Sequence, residues 1–148
     1  MDRIRILFVC HGNICRSPMA EFMMKKLVAG EGLADVFVID SAATSTEELG
    51  NDMYPPAKRL LTAKGVPFTR RAARQICRRD YDYYDYIVGL DEYNIRNIHR
   101  FFGGDPEGKI LMLLSRPVAD PWYTGDFEST YNDLQEGLPL LLTRIKEN

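Results

Sequence analysis

The chain has 148 residues, of which 45% are hydrophobic and 27% are charged, and its formal net charge is -2. This composition is typical of a globular protein, and we predict one domain over residues 1–148. No apolar run approaches the ~20 residues of a membrane span, and the net charge gives no support for nucleic-acid binding, so both classes are excluded.

Predicted strands and helices alternate through the first half of the chain. A buried apolar run predicts a strand over residues 3–9, and apolar residues at helical spacing predict a helix over 17–29. A short, mostly β-branched run predicts a second strand over 36–39, followed by a polar loop over 40–51. A proline pair then opens a helix that we predict over 55–64.

The same alternation continues in the second half. A short helix or turn over 78–84 leads into a strand over 86–90. The helix predicted over 91–100 begins at an aspartate that can cap it. A turn-rich connection over 101–106 then leads to a fourth strand over 109–113.

The C-terminal part is predicted as a long loop over 115–125 and a helix that starts near Asp126. Six apolar residues of that helix fall on one face: Phe127, Tyr131, Leu134, Leu138, Leu141 and Ile145. Gly137 and Pro139 interrupt the pattern, because proline removes a hydrogen bond and clashes with the preceding turn. We predict a kink or a break there.

Strands that alternate with helices predict an α/β fold. We expect a single domain with a four-stranded parallel sheet, helices on both faces and a phosphate-binding loop between the first strand and the first helix. Ligands of such sheets bind beyond the carboxyl ends of the strands. We therefore expect the segments at Cys10, Asp40, Asp91 and Asp120 to meet at one edge of the sheet.

The loop between the first strand and the first helix carries the strongest chemical signal. Free N–H groups and the positive end of the helix dipole converge at such a point and favour a bound phosphate. The same field stabilises a thiolate, so Cys10 is a candidate nucleophile, and the planar fork of Arg16 can hold two phosphate oxygens. Gly12 and Asn13 permit a tight turn. A cysteine and an arginine at this spacing also occur by chance, but the flanking strand and helix favour the functional interpretation.

Three motifs carry a resemblance to a known family. The segment Cys10 to Ser17, Cys-His-Gly-Asn-Ile-Cys-Arg-Ser, resembles the signature loop of the low-molecular-weight protein tyrosine phosphatases. Two further motifs, Asp40 to Ser45 and Asp120 to Tyr123, match the family in the same order. The similarity runs over nearly the whole chain and implies hydrolysis of phosphotyrosine in proteins.

The resemblance implies a role for each catalytic residue. Cys10 attacks phosphorus and forms a cysteinyl-phosphate, which water then hydrolyses, while Arg16 binds the phosphate. Asp120 is the general acid and then the base, although its sequence context alone fits a turn residue before proline equally well. Such a site needs no cofactor and no metal, and the two histidines lack partners at ligand spacing.

The resemblance also assigns the residues around the phosphate. Seven residues are expected to bind substrate: His11, Gly12, Asn13, Ile14, Cys15, Trp122 and Tyr123. Ser17 is placed to donate a hydrogen bond to the Cys10 thiolate and to cap the helix, two roles that can coexist, and Ser41 helps Asn13 to hold the loop in shape. Related protein arginine phosphatases carry threonine at the position of Ile14, so Ile14 favours phosphotyrosine.

Two features leave alternatives open. Cys15 forms a reversible disulfide with Cys10 or is a passive buried thiol, and Cys77 is expected to be structural. The chain also departs from some relatives at Glu47, where they carry an aromatic residue, and at Arg70–Arg71, where they carry a histidine. Both departures bear on substrate preference rather than on phosphoryl transfer.

The expected partners are a phosphotyrosine-containing protein, a tyrosine kinase among them, and phosphate or other oxyanion inhibitors. The alternatives on this scaffold are an arsenate reductase, which needs further cysteines for a disulfide relay, and a protein arginine phosphatase. A module that binds phosphotyrosine without cleaving it is disfavoured by the intact nucleophile and acid. The odd number of cysteines, three, and the absence of a signal-peptide pattern predict a cytoplasmic protein.

Overall fold

A parallel sheet of four strands forms the centre of the computed structural model, which describes residues 2–148. The strand order is β2-β1-β3-β4, so β1 is a central strand with a partner on each side. The strands are β1 (Ile4–Cys10), β2 (Phe37–Ala43), β3 (Tyr86–Gly89) and β4 (Ile110–Met112). The predicted four-stranded parallel sheet is confirmed.

Helices cover both faces of this sheet, as predicted. They are α1 (Arg16–Gly30), α2 (Pro55–Ala63), α3 (Arg78–Tyr83), α4 (Glu92–Phe102), α5 (Pro121–Thr124) and α6 (Phe127–Lys146). Alternate residues of β1 point to opposite faces: Phe8 is buried with residues of α1, α2 and α6, whereas Leu7 is buried with residues of α3 and α4. Within residues 2–148, none of the helices combines the length and apolarity that crossing a bilayer requires.

Strand β2 is longer than the sequence predicts. Residues 40–43, expected in a polar loop, pair with Leu7–Cys10 of β1, and Cys10 lies opposite Ala43. The polar Asp40 fits into the sheet because its carboxylate accepts a hydrogen bond of 2.6 Å from the Tyr84 hydroxyl. The extension brings the residues of the second motif to the carboxyl end of β1.

Two boundaries in the second half also differ from the prediction. Helix α4 continues through Phe102 and ends at Gly103, which has a φ of 75°. Phe101 and Phe102 were expected in a turn, but they pack against the apolar cluster beneath α3 and α4. The predicted loop over 115–125 contains the single helical turn α5, which starts after Asp120.

The break predicted near Pro139 is wrong. Helix α6 is one continuous element from Phe127 to Lys146, with Pro139 inside it. Its apolar face is buried as predicted, with Leu134, Leu138 and Leu141 in the main core. Burial of this face offsets the roughly 3 kcal/mol that an interior proline costs. The alternative, a kink at Pro139, stays a prediction.

Gly137 is where α6 approaches the end of the sheet most closely. A Cβ atom at this position would lie 2.7 Å from Cγ and 2.9 Å from Cδ2 of Leu113. We expect Gly137→Ala to lower the free energy of unfolding by up to about 2 kcal/mol, because overpacking outweighs the better helix propensity of alanine. Chemical denaturation measures the difference.

Gly30→Ala is the matched control. Gly30 also lies in a helix, but a Cβ there meets nothing within 4 Å. Alanine at this position should be neutral or stabilising by up to about 1 kcal/mol. A Gly137→Ala protein as stable as the Gly30→Ala protein would show that the contact between α6 and Leu113 is not tightly packed.

Candidate active site

The loop from Cys10 to Arg16 connects the end of β1 to the start of α1. Its carbonyl groups are tied to neighbouring segments: Thr44 N–H donates to the Cys10 carbonyl at 2.9 Å, and Tyr54 N–H donates to the Ile14 carbonyl at 2.8 Å. The N–H groups of residues 11–15, in contrast, donate to no acceptor among residues 2–148. Five unpaired backbone donors therefore belong to residues that line one cleft beside the N-terminus of α1, which is an arrangement suited to an oxyanion.

Asn13 fixes the shape of this loop from below. It is fully buried and has a φ of 59°, a left-handed conformation that asparagine tolerates better than most residues. Its Oδ1 accepts from the Arg71 guanidinium and, at 3.3 Å, from the Arg74 backbone N–H. Both partners are donors only, so the Asn13 amide can be oriented in one way.

The orientation of Asn13 sets the direction of the Ser17 hydroxyl. Asn13 Nδ2 donates to Ser17 Oγ at 2.8 Å and to Ser41 Oγ at 2.9 Å. Ser17 Oγ lies 3.0 Å from Cys10 Sγ, and its hydrogen is free to point at that sulfur. Ser17 therefore lies where it can donate to a thiolate at Cys10. It does not cap α1, because the N-cap position is Cys15, which forms no side-chain capping bond.

Two charged residues, Glu21 and Arg71, support this network and were not recognised in the sequence. Ser41 Oγ donates to Glu21 Oε1 at 2.7 Å, and Lys25 Nζ donates to Glu21 Oε2 at 2.6 Å. Glu21 follows Ser17 by four residues on α1, so the helical period places both on the face beneath the loop. The four-residue spacing of Ser17 and Glu21 on the first helix was the available signal. Arg71, the second residue, lies in the segment marked only as a departure from the family.

Arg16 is buried at the first turn of α1 and faces two carboxylates. Its Nη1 donates to Asp91 Oδ2 at 2.7 Å and to the Val118 carbonyl at 3.1 Å, and Nη2 donates to Asp120 Oδ2 at 3.3 Å. Burial by itself would lower the pKa of Arg16, but Cys10, Asp120 and Asp91 raise it above its ordinary value. Arg16 therefore stays cationic and is oriented before any substrate binds.

Asp120 precedes the single turn of α5 and caps it. Its Oδ1 accepts from the Trp122 backbone N–H at 3.1 Å, while Oδ2 faces Arg16. Pro121 is the first residue of α5, where its missing N–H has no cost. The carboxylate is thus held at the rim of the loop on a short, stiff turn.

Two exposed aromatic side chains, Trp122 and Tyr123, follow Asp120 at this rim. Trp122 and Tyr123 are 55% and 85% exposed, so they form a wall rather than a part of the core. Trp122 contacts Tyr54 edge to face at 5.2 Å between ring centroids, and Tyr54 stacks on Phe127 at 6.1 Å. On another part of the rim, His11 Nε2 lies 2.7 Å from Glu47 Oε2.

The loop after β1 and the rim residues around it line one cleft of about 220 Å³. All seven expected substrate-binding residues line it, together with Cys10, Arg16 and Asp120. Ser17 and Ser41 lie beneath it. Two acidic residues, Glu47 and Glu48, complete the lining.

The other two cysteines differ from Cys10 in their surroundings. Burial, together with Cys10 and Asp120, raises the pKa of Cys15 to about 12, so it is a protonated thiol at neutral pH. Because a thiol must ionise before it attacks an oxidised sulfur, this favours the passive role for Cys15. Cys77 is the N-cap residue of α3 and does not line the cleft. Within residues 2–148, no group of three or more ligating side chains is arranged to hold a metal ion.

The fold and the cleft define a class of small parallel α/β proteins in which the loop after the first strand is built to hold an oxyanion above a cysteine. The chain belongs to the low molecular weight phosphotyrosine protein phosphatase family, a family of hydrolases whose sequence model matches residues 5–148. The resemblance found in the three motifs is therefore confirmed.

Known relatives match over most of their length. The low molecular weight protein-tyrosine-phosphatase YfkJ of Bacillus subtilis is 36% identical over 151 residues, which cover 97% of each chain. Its crystal structure superimposes with a TM-score of 0.95, covering 99% of this chain and 97% of YfkJ. A low molecular weight phosphotyrosine protein phosphatase of Rattus norvegicus is 40% identical over 136 residues, covering 85% of each chain. The structure of a drosophila arginine phosphatase is 28% identical, with a TM-score of 0.87 over 97% of this chain and 98% of that one.

Proposed function

We propose that residues 1–148 form one phosphatase domain that hydrolyses phosphotyrosine in proteins through a cysteinyl-phosphate intermediate. The observation that carries the proposal is the position of Cys10 Sγ, beside the Ser17 hydroxyl and under the unpaired N–H groups of residues 11–15. A phosphate whose oxygens accept from these donors has its phosphorus above the sulfur.

In the first step, the Cys10 thiolate attacks phosphorus in line with the tyrosine oxygen. The S–P bond forms, the P–O bond to tyrosine breaks, and Asp120 gives its proton to the departing phenolate. Charge on the three equatorial oxygens is met by the loop N–H groups and by the fork of Arg16. These donors are already held in place by Asn13 and Asp91, so no reorganisation is needed as the charge develops.

In the second step, Asp120 is ionised and accepts a proton from an attacking water. The water oxygen bonds to phosphorus, the S–P bond breaks, and the Cys10 thiolate and inorganic phosphate are released. Ser17 stabilises the sulfur each time it carries negative charge. The cycle therefore needs water and substrate alone.

The proposed partners follow from the same cleft. Trp122 and Tyr123 can stack on the flat ring of phosphotyrosine, and a tyrosine kinase is one protein that carries it. Phosphate and other oxyanions compete for the loop and inhibit. We also propose a cytoplasmic location, because a free thiol nucleophile and two more free cysteines fit a reducing compartment.

Asp120→Asn tests the acid role. We expect kcat/KM for a phosphotyrosine peptide to fall by roughly 10²–10⁴-fold, and kcat/KM for p-nitrophenyl phosphate to fall much less, because nitrophenolate leaves without a proton. Steady-state assays on both substrates measure the difference between the two losses of kcat/KM. Asp126→Asn, at the exposed N-cap of α6, is the matched control and should leave both values unchanged. An equal loss on the two substrates would contradict general acid catalysis by Asp120.

A phosphoarginine substrate is the second candidate, because one structural neighbour is named an arginine phosphatase. Ile14 lines the cleft here, and the aromatic wall of Trp122 and Tyr123 suits a flat ring better than a guanidinium chain. Turnover of phosphotyrosine and phosphoarginine peptides of the same sequence separates the two. An arsenate reductase is disfavoured, because Cys77 lies outside the cleft and Cys15 is protonated.

A further inference from the structure

A second cleft adjoins the first one along His11, which lines both of them. We call it the side cleft. It has a volume of about 390 Å³. Its lining residues are His11, Thr44, Ser45, Asn97, Arg100 and Phe101. No step of the proposed reaction uses it.

The wall between the two clefts is firmly held. Ser45 donates to the His11 carbonyl twice, from its N–H at 3.1 Å and from its hydroxyl at 2.8 Å. Thr44 N–H donates to the Cys10 carbonyl at 2.9 Å. A peptide whose phosphotyrosine enters the first cleft and whose chain passes over His11 therefore reaches the side cleft without any rearrangement of this wall.

The side cleft offers hydrogen-bond donors that have no partner of their own. Arg100 lies in the last turn of α4, is exposed, and forms none of the ion pairs found within residues 2–148. Asn97 lies one turn earlier on the same helix, and the period of three residues places both on one face. Thr44 Oγ1 is buried and has no hydrogen-bond partner. Because this oxygen is closed to solvent, a ligand in the side cleft does not reach it, and Arg100 and Asn97 are the donors that the cleft offers.

The charge of the side cleft is opposite to that of the first cleft's rim. Glu47 and Glu48 line the first cleft, and Glu47 is paired with His11. Arg100 is the basic residue with a fixed charge in the lining of the side cleft, and Phe101 supplies an apolar surface beside it. A negative side chain is therefore favoured on the Arg100 side of His11 and disfavoured on the Glu47 side.

We propose that the side cleft binds the carboxylate of an aspartate or glutamate that flanks the phosphotyrosine in the substrate. The Arg100 guanidinium donates to the carboxylate as a charge-assisted pair, and the Asn97 amide lies on the same helix face, where it can donate a further hydrogen bond. The inference rests on the proposed phosphotyrosine activity and adds a preference for acidic sequence on one side of the phosphorylated residue.

The test compares phosphopeptides that differ only in charge. One carries three aspartates N-terminal to phosphotyrosine, one carries them C-terminal, and a third carries asparagines in both places. We expect one of the two acidic peptides to exceed the asparagine peptide in kcat/KM by roughly two- to fivefold, as for a partly exposed ion pair. Arg100→Ala should remove that advantage, and Arg100→Glu should reverse it.

Arg96→Ala is the matched control, because Arg96 lies on the same helix but stacks over Tyr93 and does not line the side cleft. In this variant, the ratio of kcat/KM for the preferred acidic peptide to kcat/KM for the asparagine peptide should be the same as in the original protein. An unchanged ratio in Arg100→Ala, or an equal change in Arg96→Ala, would overturn the proposal. Hydrolysis of p-nitrophenyl phosphate and of the asparagine peptide tests the proposed function separately, because that activity does not depend on the ratio.

Discussion

Cys10→Ser is expected to abolish phosphatase activity while leaving the oxyanion site intact. A serine hydroxyl at position 10 stays protonated at neutral pH and is a poor nucleophile. Its neighbour would be the Ser17 hydroxyl, which lies 3.0 Å from the Cys10 sulfur and is not a base that could activate it. We expect kcat for p-nitrophenyl phosphate to fall by at least roughly 10⁴-fold, as when a nucleophile is removed from other enzymes with covalent intermediates.

Binding of phosphate should survive this change, because the loop N–H groups and Arg16 are untouched. The neutral hydroxyl also removes the repulsion between a thiolate and the anion, so phosphate should bind to Cys10→Ser at least as tightly as to the original protein. Isothermal titration with inorganic phosphate measures this. Cys77→Ser is the control: serine is a good N-cap residue for α3, and activity should not change. Retention of a substantial share of activity in Cys10→Ser would contradict the assigned nucleophile.

Arg16→Lys is expected to lower the turnover rate strongly although it keeps the positive charge. Lysine keeps the positive charge but loses the planar fork that contacts Asp91 and Asp120 through separate nitrogens. We expect kcat to fall by roughly 10²–10³-fold, because the donors to the equatorial oxygens are no longer oriented. Steady-state kinetics with a phosphotyrosine peptide measures the loss.

Arg16→Ala separates charge from geometry. It removes the charge as well, so activity should fall further, and the free energy of unfolding should fall by about 1.5–3 kcal/mol because Asp91 loses a charged partner. Arg116→Ala is the control: Arg116 also bridges two carboxylates, Asp133 and Glu136, but on the surface. Its loss should cost less than about 1 kcal/mol and leave activity unchanged. Equal activity of Arg16→Lys and the original protein would show that charge alone suffices.

The architecture could be predicted because its signals are local. The apolar run before Cys10 and the helical spacing after Pro18 identified β1 and α1, and the structure places the loop between them. Asp126 was expected at the start of the last helix, and it caps α6 through the Ser129 N–H. Capping residues and apolar periods are read directly from neighbouring positions.

The errors arose where tertiary contacts override local preference. Asp40 has the composition of a loop residue, but pairing with β1 and the bond from Tyr84 hold it in a strand. Pro139 is a helix breaker by itself, yet the buried face of α6 keeps the helix continuous. Neither effect can be read from a window of a few residues.

The site was predicted less completely than the fold. The motif residues identified the lining of the cleft, since they are consecutive in the chain. Glu21, one helical turn after Ser17, is the supporting residue with a signal in its spacing. Arg71 lies 58 residues from its partner Asn13, and Tyr54 lies still further from Trp122, so no spacing rule links these pairs. Such support is visible only when the chain is folded.

The most direct test of the account is whether Cys10 carries the phosphoryl group during turnover. Asp120→Ala should let the intermediate accumulate with p-nitrophenyl phosphate, because nitrophenolate leaves unaided whereas the attacking water has lost its base. Rapid quenching followed by peptide mass spectrometry should find one phosphoryl group on the peptide that contains Cys10, bonded to that sulfur. Continued release of nitrophenolate with Cys10 unmodified, or with the phosphoryl group on another residue of the loop, would contradict the account.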